Sequence, residues 1–188
     1  MKTVEIEIKG TSPLLMHAMS IQAQEQLMKK GRKVNQTFDP ETEAEQGSYR
    51  IKTGKNKGEL CIPARCIKAA IVNASSWYKI GKRSMKQFIA GGVVVQPYEV
   101  SLGTKTYDID LRPVVIQRGN RVIRARACLP EWKAKFTVVY NEQWITEIDI
   151  LREILEESGI RIGLLDNRPQ KGGENGTFVV TKFLPKSK

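Results

Sequence analysis

Apolar and polar side chains alternate at the start of the chain, which is the pattern of a half-buried β-strand. Residues 2–9 place Val4, Ile6 and Ile8 on one face and charged or polar side chains on the other. After a long polar stretch the period becomes helical, starting at Pro63, a residue favoured in a first helical turn. This predicted helix ends near Gly81, and its apolar positions are Ile67, Ala70, Ile71, Ala74, Trp77 and Tyr78.

The second half of the chain predicts a hairpin, one further helix and three more strands. A strand at 93–98 is followed by a β-hairpin with strands at 111–117 and 121–128, turning at 118–120, and by a strand at 134–140. Thr146 and Asp149 form a capping-box pattern, which predicts a helix that ends at Gly159. A last alternating strand covers 177–184.

The elements outside the hairpin follow the order β-α-β-β-α-β, which is the ferredoxin-like (RRM-like) arrangement. The 188 residues fit a single α+β domain over 1–188. The polar segment 20–58 indicates a flexible basic insertion with one short helix near 20–30, and it also carries an acidic patch at 39–45. Unrelated proteins share this topology, so the predicted fold leaves the function open.

The charge balance does bear on function, because 31 Lys and Arg residues against 20 Asp and Glu residues give a formal net charge of +11. Such an excess favours a polyanionic partner, nucleic acid before an anionic membrane surface. No apolar run reaches the ~20 residues of a membrane span, and the first residues alternate unlike a signal peptide, which indicates a cytoplasmic protein. Cys61, Cys66 and Cys128 lack metal-site spacing, so no metal or cofactor is expected.

The hairpin is dense in arginine. Arg118, Arg121, Arg124 and Arg126 crowd its turn and its returning strand, where Arg124 and Arg126 share a face. Neighbouring arginines on one face repel each other unless an anion lies between them. This pattern indicates a basic finger that grips a phosphate backbone. The alternative is a solvated edge strand whose charges block edge-to-edge pairing.

A glycine-dense basic loop separates the second helix from the last strand. Glycine allows tight turns and close backbone approach, and adjacent cations suit phosphate. The candidate contacts here are Arg168, Lys171, Gly172 and Gly173, with Lys55 and Lys57 of the insertion as secondary candidates. An ordinary glycine-rich connection with solvated charges is the alternative.

Other chemistry has weaker support in the sequence. His17 is the only histidine, so it either acts alone as an acid or base or is a packed structural residue. Asp108 and Asp110 share a strand face but have no obvious third acidic ligand nearby. Neither a GxSxG elbow nor a phosphate-cradling GxxxxGK[ST] loop occurs. The aromatic residues that offer a surface for base stacking are Tyr49, Trp77, Tyr78, Tyr107 and Trp132.

Three stretches together resemble the RAMP superfamily of ferredoxin-like CRISPR-associated proteins, particularly the backbone subunits that coat guide RNA. They are the first strand with Gly10-Thr11-Ser12-Pro13-Leu14-Leu15-Met16-His17, the segment 60–70 (LCIPARCIKAA), and the loop from Gly163 to Phe178. The chain also resembles small phage or prophage proteins around Trp132, Arg168 and Gly176. The resemblance implies binding of RNA or single-stranded DNA along a repeating filament, with the hairpin as a thumb-like element.

Three functions follow as hypotheses. The first is a module that binds single-stranded nucleic acid through its phosphate backbone, with affinity that falls steeply with salt. The second is a metal-independent, RAMP-like endoribonuclease that uses His17. The third is a phage assembly protein whose charge serves protein contacts. The sequence does not determine the choice between RNA and DNA, or the oligomeric state.

Overall fold

A computed structural model describes residues 1–19, 24, 28, 38–115 and 121–186. The hairpin turn with Arg118 lies outside these ranges, as does most of the helix predicted near 20–30. Four α-helices lie within them: α1 (Pro40–Gly47), α2 (Ala64–Ala74), α3 (Lys86–Gly92) and α4 (Ile148–Glu157). The strands are β1 (Lys2–Gly10), β2 (Leu14–Met16), β3 (Cys61–Pro63), β4 (Lys79–Ile80), β5 (Arg83–Ser84), β6 (Val93–Gln96), β7 (Glu99–Ser101), β8 (Asp108–Val115), β9 (Arg121–Leu129), β10 (Lys133–Tyr140) and β11 (Phe178–Lys186).

The largest sheet has the strand order β11-β1-β10-β6, and all of its neighbours are antiparallel. Val4, Ile6 and Ile8 are buried, as the alternation of β1 predicts. They join one hydrophobic core with Ile67 and Ile71 of α2. Helix α2 contacts β6, α4 contacts β11, and the two helices contact each other, so the core lies between this sheet and its helices. The protein is therefore an α+β fold with antiparallel sheets.

A second sheet, β2-β9-β8, carries the predicted hairpin. Strand β2 pairs with β9 through Leu14↔Leu129, and β9 pairs with β8 from Asp108↔Cys128 to Val115↔Arg121. Beyond the end of β2, the Ala125 amide donates to Glu43 Oε2 at 3.0 Å. Helix α1 thus covers the part of the β9 edge that β2 leaves unpaired.

Part of the predicted flexible insertion folds into packed structure. Asp39 caps α1 by accepting a hydrogen bond from the Thr42 amide at 3.0 Å, and Pro40 occupies the first turn. Ala44 is fully buried, and Ile51 after the helix is buried as well. Within this otherwise polar segment, α1 therefore packs against β8 and β9.

Two helix predictions were wrong at their ends. Helix α2 stops at Ala74 and continues as a 3₁₀ turn, Ser75–Trp77, while Gly81 turns the short β4–β5 hairpin with φ +58°. Helix α4 begins at Ile148 after Glu147, and Thr146 makes no capping hydrogen bond. None of the described helices is both long and apolar enough to cross a membrane.

Candidate nucleic-acid interface

A cavity of about 430 Å³ opens where α2, the end of β2 and the glycine-rich loop meet. These three elements are distant in sequence. The glycine-rich loop lies against β2 because Leu15 and Asp166 form an isolated antiparallel β-bridge. The lining residues are His17, Tyr49, Arg65, Cys66, Ala69, Ala70, Asn73, Ile162, Gly163, Leu165, Asp166, Arg168 and Gln170.

Helix α2 contributes one basic wall. Arg65 is exposed in the first turn of the helix, and Asn73 lies two turns later, where its Nδ2 donates to the Ala69 carbonyl at 2.8 Å. Burial raises the pKa of the Cys66 thiol, and both Arg65 and Arg168 oppose that shift. The two guanidinium groups, one on α2 and one on the glycine-rich loop, therefore both act on this thiol.

The glycine-rich loop is tightly bonded to the rest of the fold. The Gly176 amide donates to the Pro13 carbonyl at 2.9 Å, and the Leu164 amide donates to the Gly176 carbonyl at 2.9 Å. A Cβ on Gly173 would lie 2.0 Å from the Asn167 carbonyl oxygen, and one on Gly176 would lie 2.0 Å from that of Leu164. These glycines therefore permit close packing of the loop on its own backbone, and the contact of Gly173 with a ligand stays a prediction.

Arg168 lines the cavity, and Lys171 lies beside it. Arg168 Nη1 donates to the Leu165 carbonyl at 2.7 Å, and its Nε donates to Gln170 Oε1 at 3.3 Å. Lys171 and Gly172 are exposed at the 3₁₀ turn Pro169–Lys171, and a Cβ on Gly172 would meet open space. Within the described ranges, no carboxylate comes within 4.0 Å of the charged groups of Arg65, Arg168 or Lys171.

His17 follows β2 at the rim of the cavity, with part of its surface exposed. Burial of the ring lowers the pKa of His17 below its usual 6.5; Arg124 and Arg126 act in the same direction, and Asp166 and Glu43 oppose them. The imidazole is therefore mostly neutral at pH 7. The structure brings His17 into one cavity with Arg65 and Arg168, a grouping that the sequence did not show.

The hairpin arginines 124 and 126 share a face as predicted, but they already have anionic partners. Arg124 Nη1 lies 2.8 Å from Glu43 Oε1 of α1, and Arg126 Nε lies 2.9 Å from Asp166 Oδ2 of the loop. Asp110 Oδ2 lies 4.0 Å from Arg126 Nη1, and only 12% of the Arg126 side chain is exposed. Carboxylates of the chain itself thus occupy the place where an external anion was expected.

The remaining predicted contacts lie outside the cavity. Arg121 is exposed at the start of β9, and Lys55 and Lys57 are exposed in a turn where the Lys57 amide donates to the Gly54 carbonyl at 3.3 Å. Two of the aromatic candidates are engaged elsewhere: Trp132 is buried and its Nε1 donates to the Ser12 carbonyl, while the Tyr107 hydroxyl donates to Glu45 Oε2 at 2.9 Å. Arg118 lies outside the described residues.

Sequence reasoning missed Arg65, Asn73 and Gln170 as lining residues. The signal for Arg65 was its place in the segment 60–70, where it is the first cation after Pro63. A side chain in the first turn of a helix lies at the end of that helix, where it can reach a ligand. Asn73 and Gln170 carried no signal. Asp108 is exposed and Asp110 pairs with Arg112 at 2.7 Å, and no group of three potential metal-ligating residues occurs in the described part of the chain.

Comparison with known proteins gives a structural likeness and no sequence relative. No family model matches the chain, and no curated protein matches it. The fold is similar to that of a chain in the cryo-EM structure of the Type III-B Cmr-β complex bound to cognate target RNA, with a TM-score of 0.56 and 16% identity. The match covers 98% of this chain but 60% of that one. The likeness is one of fold, and it agrees with the α+β class that the sequence predicts.

Proposed function

We propose that this protein is a ferredoxin-like domain of the RAMP type that binds single-stranded nucleic acid through its phosphate backbone. The sheet order β11-β1-β10-β6, with helices α2 and α4 packed on one side, supports the ferredoxin-like assignment. The fold likeness to a chain of an RNA-bound complex supports RNA as the first strand to test.

The observation that carries the proposal is the cation pair in the cavity. Arg65 and Arg168 line one cavity without a carboxylate partner among the described residues, whereas Arg124 and Arg126 are neutralised by carboxylates of the chain. Two guanidinium groups that line one cavity and have no carboxylate partner among the described residues suit a phosphate, because each offers planar, charge-assisted donors. The rigid loop holds Arg168 in place before any ligand arrives.

The direct test is a titration of the purified protein into fluorescein-labelled 30-nucleotide RNA, single-stranded DNA and duplex DNA at two or more salt concentrations. Binding to single strands should weaken with salt, with a log–log slope of about −2 to −3 if three or four phosphates are contacted. Binding that ignores salt, or no binding to any of the three, would refute the proposal and favour an assembly protein.

Arg65→Ala is the sharpest variant, because Arg65 is exposed, lines the cavity and has no carboxylate within 4.0 Å among the described residues. We expect an affinity loss of about tenfold, the value of one charge-assisted contact, and a salt slope shallower by about 0.7. Lys133→Ala, at an exposed position on β10 away from the cavity, is the matched control for lost positive charge. Equal effects of the two variants would mean that net charge alone binds the strand.

Endoribonuclease activity is a second candidate, favoured by the position of His17 in the lining of the cavity that Arg65 and Arg168 also line. A neutral imidazole can accept the proton of an attacking 2′-hydroxyl, and the guanidinium groups can stabilise the charge that develops on the phosphate. Labelled RNA incubated with the wild type and with His17→Ala tests this. Equal cleavage by both proteins, or cleavage by neither, would remove the candidate.

A further inference from the structure

A second basic surface lies at the other end of α2, on the β4–β5 hairpin. Four exposed cations occur within eight residues there, at Lys79, Lys82, Arg83 and Lys86. None of their charged groups has a carboxylate within 4.0 Å in the parts of the chain that the structure describes. Gly81 turns the hairpin, and a Cβ there would meet open space, so the tip is unobstructed.

An aromatic side chain stands beside these cations. Trp77 is 52% exposed, although the helical period places it in the core. The guanidinium carbon of Arg161 lies 5.2 Å from the centroid of the indole ring. Ile80, three residues after Trp77, and Ile160, which precedes Arg161, are exposed as well. An exposed indole among cations is the combination that non-specific binders of single strands use, stacking a base on the ring while cations contact phosphates.

Acidic side chains also lie near this surface, and most of them are already paired. Glu157 Oε2 lies 2.6 Å from Arg161 Nε, and Glu156 Oε1 lies 3.0 Å from Arg152 Nε. Burial raises the pKa of the Tyr78 hydroxyl, with Glu157 and Glu153 acting in the same direction. The cations of the hairpin therefore outnumber the carboxylates left without an arginine.

The cavity and this surface are joined by the same two elements. Asn73 lines the cavity, and Trp77 follows it by four residues, which places the indole one turn further along the chain. Ile162 lines the cavity as well, and its neighbour Arg161 covers Trp77. Helix α2 has 11 residues and is therefore about 16 Å long, a length that a strand of a few nucleotides spans.

We infer that a single strand held in the cavity continues along α2 to a second contact site, where a base stacks on Trp77 and Lys79, Lys82 and Arg83 contact phosphates. The ligand is single-stranded nucleic acid, and the inference rests on the proposed function. It extends the binding surface to residues that neither the hairpin β8–β9 nor the glycine-rich loop includes.

The test uses the full chain with fluorescein-labelled oligouridylate of 30 and of 4 nucleotides. Trp77→Ala should weaken binding of the 30-mer about tenfold, the usual loss for one stacked base, while Trp77→Phe keeps most of the affinity. Thermal unfolding checks that both variants stay folded, because about half of the indole is buried and its ring contacts Arg161. The 4-mer, held in the cavity, should respond much less to Trp77→Ala than the 30-mer does.

A charge variant and a spectroscopic readout complete the test. Lys82→Ala/Arg83→Ala should make the salt slope shallower by about 1.4, and Lys9→Ala/Lys133→Ala, at positions paired in register on β1 and β10, is the matched control. Binding of the 30-mer should quench tryptophan fluorescence in the wild type, and Trp77→Phe should lose most of that quenching.

The outcomes separate the two claims. If Arg65→Ala weakens binding while Trp77→Ala and the Lys82/Arg83 double variant bind like the wild type, the second contact site is refuted and the proposed function stands. If the wild type binds no single strand, both fail. Equal losses of affinity in Lys82→Ala/Arg83→Ala and in the control Lys9→Ala/Lys133→Ala would also refute the second contact site. So would an affinity for phosphatidylserine vesicles that depends on Trp77 when the affinity for RNA does not.

Discussion

Replacing Gly176 with alanine tests whether the rigid glycine-rich loop builds the candidate interface. Gly176 has φ +71°, and a Cβ there would lie 2.0 Å from the Leu164 carbonyl oxygen. The loop must move to relieve this contact. That movement disturbs the two backbone hydrogen bonds of Gly176, its amide to the Pro13 carbonyl and the Leu164 amide to its carbonyl, both at 2.9 Å.

The magnitude follows from these terms. The left-handed backbone costs a residue with a Cβ about 1–2 kcal/mol, and two weakened hydrogen bonds cost about 1 kcal/mol each, so we expect about 3–4 kcal/mol of lost stability. Gly172→Ala is the matched control, because Gly172 also has a positive φ, +79°, but its Cβ would meet no atom within 4 Å. Its expected cost is the backbone term alone, about 1–2 kcal/mol.

Urea unfolding of the wild type and both variants measures the free energy of unfolding, and the RNA titration measures the interface. We expect Gly176→Ala to lose about 2 kcal/mol more than Gly172→Ala and to bind RNA at least about tenfold more weakly than it, because Arg168 and Asp166 move with the loop. Variants that match in both stability and affinity would refute the view that close backbone packing shapes this site.

Three further predictions concern the cavity. Asp166→Asn should strengthen RNA binding severalfold at low salt, because it frees Arg126 from its ion pair. Glu174→Gln makes the same charge change at an exposed position of the loop and should strengthen binding less. Equal gains in affinity would show that only net charge matters. Because burial lowers the pKa of His17 and a bound phosphate favours the imidazolium, affinity should rise as the pH falls from 7.5 to 5.5, and His17→Asn should flatten that profile in the same titration. Since the Cys66 thiol lines the cavity, bound RNA should slow its alkylation by a maleimide, measured by mass spectrometry against the rate at Cys128; equal protection of both thiols would argue against binding in the cavity.

Local patterns in the sequence predicted most of the secondary structure. The alternation of residues 2–9 became β1, Lys2–Gly10, with its apolar face in the core. The hairpin predicted at 111–117 and 121–128 was found at Asp108–Val115 and Arg121–Leu129. Side-chain period is a local property, and it survives folding wherever one face of an element is buried.

Prediction failed where a pattern depended on distant parts of the chain. The period of α2 continued to Trp77, yet the helix ended at Ala74 and the indole lies on the surface. The acidic patch at 39–45 lies in the segment predicted to be flexible, but its Glu43 pairs with Arg124 across 81 residues of chain. A sequence shows that cations are present, but their freedom to bind depends on carboxylates that only the fold brings near.

Local pattern and composition are enough to predict the strand faces, the basic character of the chain and the residue types suited to phosphate. Which of those cations stay available depends on the fold, because ion pairing requires groups within a few ångströms and folding sets those distances. It paired Arg126 with Asp166 and left Arg65 and Arg168 facing one cavity with His17. The charge and hydrogen-bonding groups of each side chain can be read from the sequence. A binding site exists only when backbone hydrogen bonds and core packing bring such side chains together.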